Sequence, residues 1–258
     1  MSLIKLLLKR IPRPWLIRLS FILRPLLKLW YKGKGVVDPI DGSSFRSFMP
    51  YGYEHVRKGV LSPSTLSLER HRSLWLYVNR ETSLFTSDKP IDLLHIAPEQ
   101  CFYSILKNQS YINYTTFDLN SPLASVHGDI TKMPFADCTF DYVFCNHVLE
   151  HITDDQLAMS ELFRILRPGG WGIVQVPMQA NRDITYENWD ITDPAARTIH
   201  FGQYDHVRWY GRVDFFERLT AVGFQIEAIN VGTYFSEEEI QTYVLDKNEI
   251  LPIIRRPL

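Results

Sequence analysis

One stretch of this 258-residue chain constrains its fold more than any other: residues 125–178, SVHGDITKMPFADCTFDYVFCNHVLEHITDDQLAMSELFRILRPGGWGIVQVPM. FDYVFC (140–145) is a short apolar run rich in aromatic and branched residues, as a parallel strand covered on both faces requires. Asn146 and His147 follow at its carboxyl end, the edge at which open α/β sheets bind ligands. Thr153 is placed to cap a helix with Asp154 and Asp155 in its first turn. That helix turns Leu157, Leu162 and Ile165 inward, ends in Arg164 and Arg167, and stops at Pro168-Gly169-Gly170. A second strand, 171–176, comes next. Strand, helix and strand in this order predict a βαβ unit.

The flanks extend the pattern. IDLLHIA (91–97) and YINYTTF (111–117) read as further strands, with a crossover helix opening at Glu99 and Asp118 closing the second strand. A carboxylate at the position of Asp118 can accept from both ribose hydroxyls, the logic of dinucleotide-binding folds. Glu99 sits favourably at a helix N-terminus, either to meet the cationic part of a ligand or only to cap the helix. RVDFFERLTA (212–221) is an amphipathic helix ended by Gly223. The last two strands fall at 224–231 and 249–255, with a short acidic helix at 236–242 between them. The sheet pattern lapses over 178–211, a length typical of lids and binding loops. Within it His206 is the candidate general base, since imidazole titrates near neutral pH. Tyr204, Arg208 and Tyr210 could orient an acceptor, and Arg182 could clamp a carboxylate or phosphate. Local hydrogen bonding within the loop is the alternative use of each.

The segments GDITKMPF, FDYVFCNHVLEHI and LFRILRPGG resemble the central part of the class I S-adenosylmethionine-dependent methyltransferases of the type 11-like group. LERHRSLWLY, LLHIAPE and FGQYDHVRWYG resemble a bacterial subgroup that often carries a small zinc knuckle near its N-terminus. The resemblance implies an α/β, Rossmann-like, seven-stranded and mostly parallel sheet, its last strand antiparallel, with helices on both faces. It implies S-adenosyl-L-methionine as cofactor, bound through His95, Ala97, Glu99, Asp118, Leu119, Asp129, Ile130, Asn146 and His147. Asp129 would accept from the adenine amino group and the Ile130 amide would meet a ring nitrogen; a turn-capping Asp129 is the alternative. The chain departs from the family at the first strand–helix turn. His95 stands where an acid is usual, and Ala97, Glu99 and Cys101 stand where a Gly-x-Gly-x-Gly turn would be, although Ala97 remains small.

In residues 36–66 the knuckle's thiolates are replaced by Asp38, Asp41, Ser62 and Thr65. Carboxylates and hydroxyls make a poor zinc site, so the backbone shape is expected without a metal, a hard cation at Asp38 and Asp41 being the lesser alternative. Ser62-Pro63 is placed to start a helix running to about Asn79. Its Arg70, His71 and Arg72 either face a cofactor cleft or form a solvated face with a packed His71.

Charge is distributed unevenly. Residues 1–35 hold nine of the 28 bases and none of the 29 acids, so the remaining chain is acidic. An acidic body argues against nucleic acid as a partner. The basic arm has no apolar run near the roughly 20 residues a membrane span needs, and its bases interrupt any signal-peptide core. One or two interfacial helices on an anionic membrane surface are expected instead, broken at Pro12, Pro14 and Pro25 and anchored by Trp15 and Trp30. Packing on the domain or on a second subunit is the alternative. Cys101, Cys138 and Cys145, without ligand or disulfide spacing, suggest a reducing, cytoplasmic setting.

The resulting expectation is an arm (1–35), a metal-free knuckle (36–66) and a methyltransferase domain (67–258) with a substrate loop (178–211). It would act on a small-molecule or glycan- or lipid-linked acceptor, at oxygen. A non-catalytic membrane-surface module that kept the fold is the competing reading. A nucleotide-dependent oxidoreductase lacks the glycine-rich turn that a pyrophosphate needs.

Overall fold

Within the basic segment the described residues 13–30 form a helix, α1 (Arg13–Trp30), which passes through Pro25. The expected breaks are therefore absent at Pro14 and Pro25, while Pro12 falls outside the residues described by this computed structural model, 13–52, 56–178 and 182–258. Pro14 lies in the first turn, where a missing N–H costs nothing; Pro25 costs one interior hydrogen bond and not the helix. Ile22, Leu26, Leu29 and Trp30 lie exposed at spacings of three and four, one apolar stripe along α1. No helix among the described residues is long and apolar enough to cross a membrane.

The chain divides into two units, Met1–Thr82 with Val231–Lys247, and Ser83–Asn230 with Asn248–Leu258. In the first, β1 (Lys32–Val37) pairs with β2 (Ser44–Phe45), and β3 (Met49–Tyr51) with β4 (Arg57–Leu61), both antiparallel. The turns that follow β1 and β4 share one bonding scheme. Asp38 N donates to Ser43 O and Gly42 N to Asp38 O, just as Ser62 N donates to Ser67 O and Leu66 N to Ser62 O, at 2.9–3.1 Å. Gly42 (φ 69°) and Leu66 (φ 61°) both take the left-handed conformation that closes such a turn.

Asp38 is fully buried and joins the two turns. Its Oδ1 accepts from Ile40 N (3.0 Å), and its Oδ2 accepts from Thr65 Oγ1 (2.5 Å) and Ser67 Oγ (3.1 Å). Asp41 is exposed and accepts from Ser43 and Lys28 instead, so the two aspartates do not converge on a cation.

Because Ser62–Leu68 is consumed by the second turn, α2 (Glu69–Glu81) starts later than its Ser-Pro signal predicts. His71 Nδ1 accepts from Leu68 N at the helix start. Arg72 is fully buried, stacks 4.5 Å over Phe48, and donates to the carbonyls of Val60, Ser67, Tyr243 and Val244. Neither side chain faces a cleft. Buried charge here serves the fold.

The second unit contains β5 (Ile91–Ile96), α3 (Gln100–Lys107), β6 (Ile112–Asp118), β7 (Val126–His127), β8 (Phe140–Asn146), α4 (Asp155–Ile165) and β9 (Leu166–Gln175). These are followed by β10 (Tyr186–Glu187), α5 (Pro194–Phe201), β11 (Arg208–Trp209), α6 (Arg212–Val222), β12 (Gln225–Asn230) and β13 (Ile250–Arg255). Seven strands form one sheet in the order β12-β13-β9-β8-β5-β6-β7. The strands from β5 to β9 pair in parallel, and β13 runs antiparallel to both neighbours. This is the α/β architecture expected above.

Leu94, Val143, Ile173 and Ile254 are fully buried in its core, each stabilising by about 1.5–3 kcal/mol relative to exposure. Two local expectations need correction. Asp154, not Thr153, caps α4, accepting from Leu157 N at 3.0 Å. The inward stripe is accordingly Ala158, Met159, Leu162 and Ile165, all fully buried, while Leu157 lies off it and is exposed.

From β5 the chain builds β6 and β7 on one side, then crosses back to build β8 and β9 on the other. The strand order therefore reverses between β5 and β8, and a crevice at the carboxyl ends of these two strands is where such sheets bind ligands.

Candidate active site

Both strands flanking that switch point end in strained backbone. Ala97, after β5, has φ 49°, and His147, after β8, has φ 54°. Left-handed non-glycine residues cost on the order of 1–3 kcal/mol and cluster at functional sites. Ala97 thus makes, without a glycine, the turn that lets the backbone swing away from the sheet edge.

Next to it, four buried polar atoms lack a partner: Asn146 Oδ1, His147 Nε2, Glu150 Oε2 and Gln175 Oε1. All lie at the carboxyl ends of β8 and β9 or in the turn that follows β8. Buried polar atoms are almost always satisfied, so this group of orphans at one sheet edge is a place where a bound group or water would find partners.

Glu99 precedes α3 but its side chain makes no capping bond. The carboxylate instead accepts from Asn146 Nδ2 (3.1 Å) and lies 2.5 Å from His95 Nε2. His95 is fully buried, with Nδ1 2.7 Å from the Tyr114 hydroxyl. Burial, reinforced by Glu99, pushes the Tyr114 pKa far above its ordinary value, so the hydroxyl stays protonated and donates to Nδ1. His95 Nε2–H then donates to Glu99. The expected direct cofactor contact at His95 is corrected: both ring nitrogens are engaged, and the residue orients Glu99.

Asp118 and Asp129 share a pattern. Asp118 Oδ1 accepts from Asn120 N (2.7 Å) and Ser121 N (2.6 Å), and Asp129 Oδ1 accepts from Thr131 N and Oγ1, both at 2.8 Å. Asp129 therefore caps a turn. In each carboxylate the second oxygen has no donor among the described residues. Leu119 is exposed and Ile130 buried.

The 178–211 segment is more ordered in pattern than its sequence suggested; Gln179, Ala180 and Asn181 lie outside the described residues. β10 pairs with β11, Met178 bridges Tyr210, and α5 is capped by Asp193, whose carboxylate accepts from Ala196 N, with Pro194 in the first turn. That Asp-Pro pair was a legible helix start.

Arg208 and Tyr210, expected to orient an acceptor, are buried anchors. Arg208 is 1% exposed, pairs with Glu187, and donates to the carbonyls of Leu149, Ile152 and Thr153. Tyr210 donates to Asp155 Oδ2 at 2.7 Å, and burial raises its pKa well above the ordinary value. A guanidinium pointed at three carbonyls that end a turn cannot also bind a ligand. Tyr204 is exposed, and Arg182 lies on the surface over the Tyr186 ring.

The same anchoring brings His206 to the turn after β8. Val207 N donates to Glu150 O at 2.9 Å. His206 is 7% exposed, and its Nδ1 lies 3.1 Å from Phe201 O, an acceptor only, so the proton sits on Nδ1 and Nε2 carries a lone pair. Burial, against the pull of Glu150, holds its pKa below the ordinary imidazole range. Its ring stacks edge-on against His151 at 4.7 Å. Glu150 and His151 were unassigned in the sequence, although the spacing His147-x-x-Glu150-His151 was visible there.

Comparison with known proteins bears on this frame. Residues 102–174 match the family described as "Methyltransferase domain". A crystal structure of the CurJ carbon methyltransferase superposes with a TM-score of 0.50 at 14% identity, covering 72% of this chain and 54% of that one. The fold is a Rossmann-like methyltransferase fold.

A protein of Mycolicibacterium smegmatis named as a probable S-adenosylmethionine-dependent methyltransferase is 33% identical over 101 residues, 39% of this chain and 35% of the relative. A demethylmenaquinone methyltransferase of Streptomyces avermitilis is 49% identical over 43 residues, 17% of this chain and 19% of the relative. The chain thus spans about a third or less of the length of these relatives.

Proposed function

We propose that this protein transfers a methyl group from S-adenosyl-L-methionine to a hydroxyl-bearing small-molecule, glycan- or lipid-linked acceptor. The observation that carries the reading is the set of orphaned buried polar atoms beside two strained strand ends at the switch point. The matched methyltransferase domain and relatives support the same chemistry.

The residues fit the cofactor. Ala97 offers a close backbone approach, Glu99 a carboxylate for the α-ammonium, and Asp118 a carboxylate oxygen for the ribose. Asp129 with the Ile130 amide suits the adenine edge, Leu119 its apolar face, and Asn146 and His147 line the methionine end. When bound, the cofactor supplies an electrophilic sulfonium methyl. The protein's own work is to hold the acceptor in line and to receive its proton. His206 suits that task, because a buried imidazole held neutral presents its Nε2 lone pair. Tyr204 and Arg182 are the surface groups of the lid suited to orient a polar acceptor.

Calorimetry tests the cofactor assignment. Wild type should bind S-adenosyl-L-methionine, and Asp118→Ala should weaken binding by about tenfold or more, the loss of a charge-assisted hydrogen bond. No binding by wild type, or equal binding by the variant, overturns it.

A membrane-linked acceptor is favoured by α1, whose exposed Ile22, Leu26, Leu29 and Trp30 adjoin the basic residues Lys28, Lys32 and Lys34. Pelleting with vesicles of anionic but not neutral lipid is expected, and should be lost in Ile22→Ser/Leu26→Ser/Leu29→Ser. A non-catalytic membrane module gains no support from the fold or the matched relatives.

A further inference from the structure

Glu150, His151 and His206 present one potential ligand atom each, all within 4.8 Å of one another. No hydrogen bond or ion pair links any two of them, and the two imidazole rings meet edge to face at 4.7 Å. The orientation of each is set from behind. His206 Nδ1 donates to Phe201 O (3.1 Å), and His151 Nδ1 lies 3.3 Å from Asp205 O and 3.5 Å from Asp205 Oδ2. Glu150 Oε1 lies 3.2 Å from His147 Nδ1. Each imidazole therefore spends its Nδ1 proton on the backbone of the 178–211 segment, which leaves Nε2 as its lone-pair nitrogen. Glu150, 1% exposed, keeps Oε2 buried and without a partner.

Two imidazoles, each steadied by a carbonyl, and one carboxylate form the ligand set of an open zinc site. A buried anionic oxygen with no donor is costly, and a divalent cation removes that cost while using both lone pairs. Ligands around a four-coordinate zinc stand roughly 3.3 Å apart, so side-chain movements of about 1 Å would complete the site. Here the backbone is a single tight turn, and His206 from the lid supplies the second imidazole.

We infer that Glu150, His151 and His206 bind a zinc ion, leaving its fourth position for water or an acceptor oxygen. The inference rests on the methyltransferase reading and replaces one role in it: as a ligand His206 would no longer receive the acceptor's proton, which a zinc-bound hydroxide would take up instead, becoming water. The softness of two imidazoles favours zinc over magnesium or calcium, which want oxygen ligands.

The test is metal titration of chelator-treated full-length protein, by competition with a chromogenic chelator and by the visible spectrum of the cobalt-substituted form. S-adenosyl-L-methionine calorimetry runs in parallel. One ion per chain is expected, with a four-coordinate cobalt spectrum. Affinity should fall by at least about tenfold in His151→Asn and in His206→Asn, with thermal midpoints of the metal-free variants near that of metal-free wild type. Glu150→Gln should behave likewise; if it unfolds, the two histidine variants decide. No stoichiometric zinc at 100 µM free ion (roughly a Kd above 100 µM), or wild-type affinity in both histidine variants, overturns the inference. Cofactor binding without zinc binding removes only this inference, and zinc binding without cofactor binding removes only the functional reading beneath it.

Discussion

At the scale of single residues, Ala97 and Arg208 show how one position can serve conformation and another anchorage. Ala97 holds φ 49° where no β-carbon is comfortable. Ala97→Gly should leave cofactor affinity intact and raise stability by up to about 1 kcal/mol. Ala97→Val should lower stability by about 1–2 kcal/mol and weaken cofactor binding, because branching is worst in left-handed backbone. Urea denaturation and calorimetry measure both. Arg208→Lys keeps the charge but loses the fork that meets Glu187 and three carbonyls. A loss of about 2–4 kcal/mol is expected from the orphaned buried groups, read as a lower thermal midpoint. Sequence alone could not separate His206 from Arg208. Both are polar residues in one aromatic-rich loop, and only burial and partners tell a presented lone pair from a spent guanidinium.

At the scale of elements, the 182–211 segment is held by a network of Arg208, Arg218, Asp155 and Glu187. Burial acts to raise the Glu187 pKa, but hydrogen bonds from Arg218 and Arg208 outweigh it and hold the group below its ordinary value of 4.5. A carboxylate with a depressed folded-state pKa gives its full contribution above the unfolded value and loses it as pH falls through the depressed one. Stability should therefore drop as pH falls below about 4.5, and Glu187→Gln should flatten part of that drop; thermal midpoints between pH 7 and 3 check this. In the other unit, Asp38 binds two turns whose backbones repeat one another. Asp38→Ala strands Thr65 and Ser67 hydroxyls and the Ile40 amide, and should cost about 2–4 kcal/mol in denaturant titration. Asp38→Asn, which keeps an acceptor, should cost less. A knuckle-like backbone here was expected only from the family resemblance, not from residue types. The two hydroxyl donors to Asp38 come from residues 27 and 29 positions away.

At the scale of the whole molecule, ligand linkage offers a direct check. At a hundredfold excess over its Kd, S-adenosyl-L-methionine should stabilise the native state by about 2.7 kcal/mol, visible as a rise in thermal midpoint. Asp118→Ala, binding about tenfold more weakly, should cut that rise to about half at the same concentration.

Local signals in the 125–178 block were enough to place β8, the helix after it and the core of β9, because such runs act within a few residues, although the helix cap is Asp154 and Pro168-Gly169-Gly170 lies within β9. The antiparallel last strand was expected from the family resemblance, while Asp118 and Asn146 were legible as residues at the carboxyl ends of their strands. Which histidine presents a lone pair, and what it faces, was decided only in three dimensions. Glu150, His151 and His206 meet because the lid folds back and hands Val207 N to Glu150 O. Their juxtaposition spans more than fifty residues of chain and rests on backbone hydrogen bonds and burial, which leave no periodic trace in a sequence.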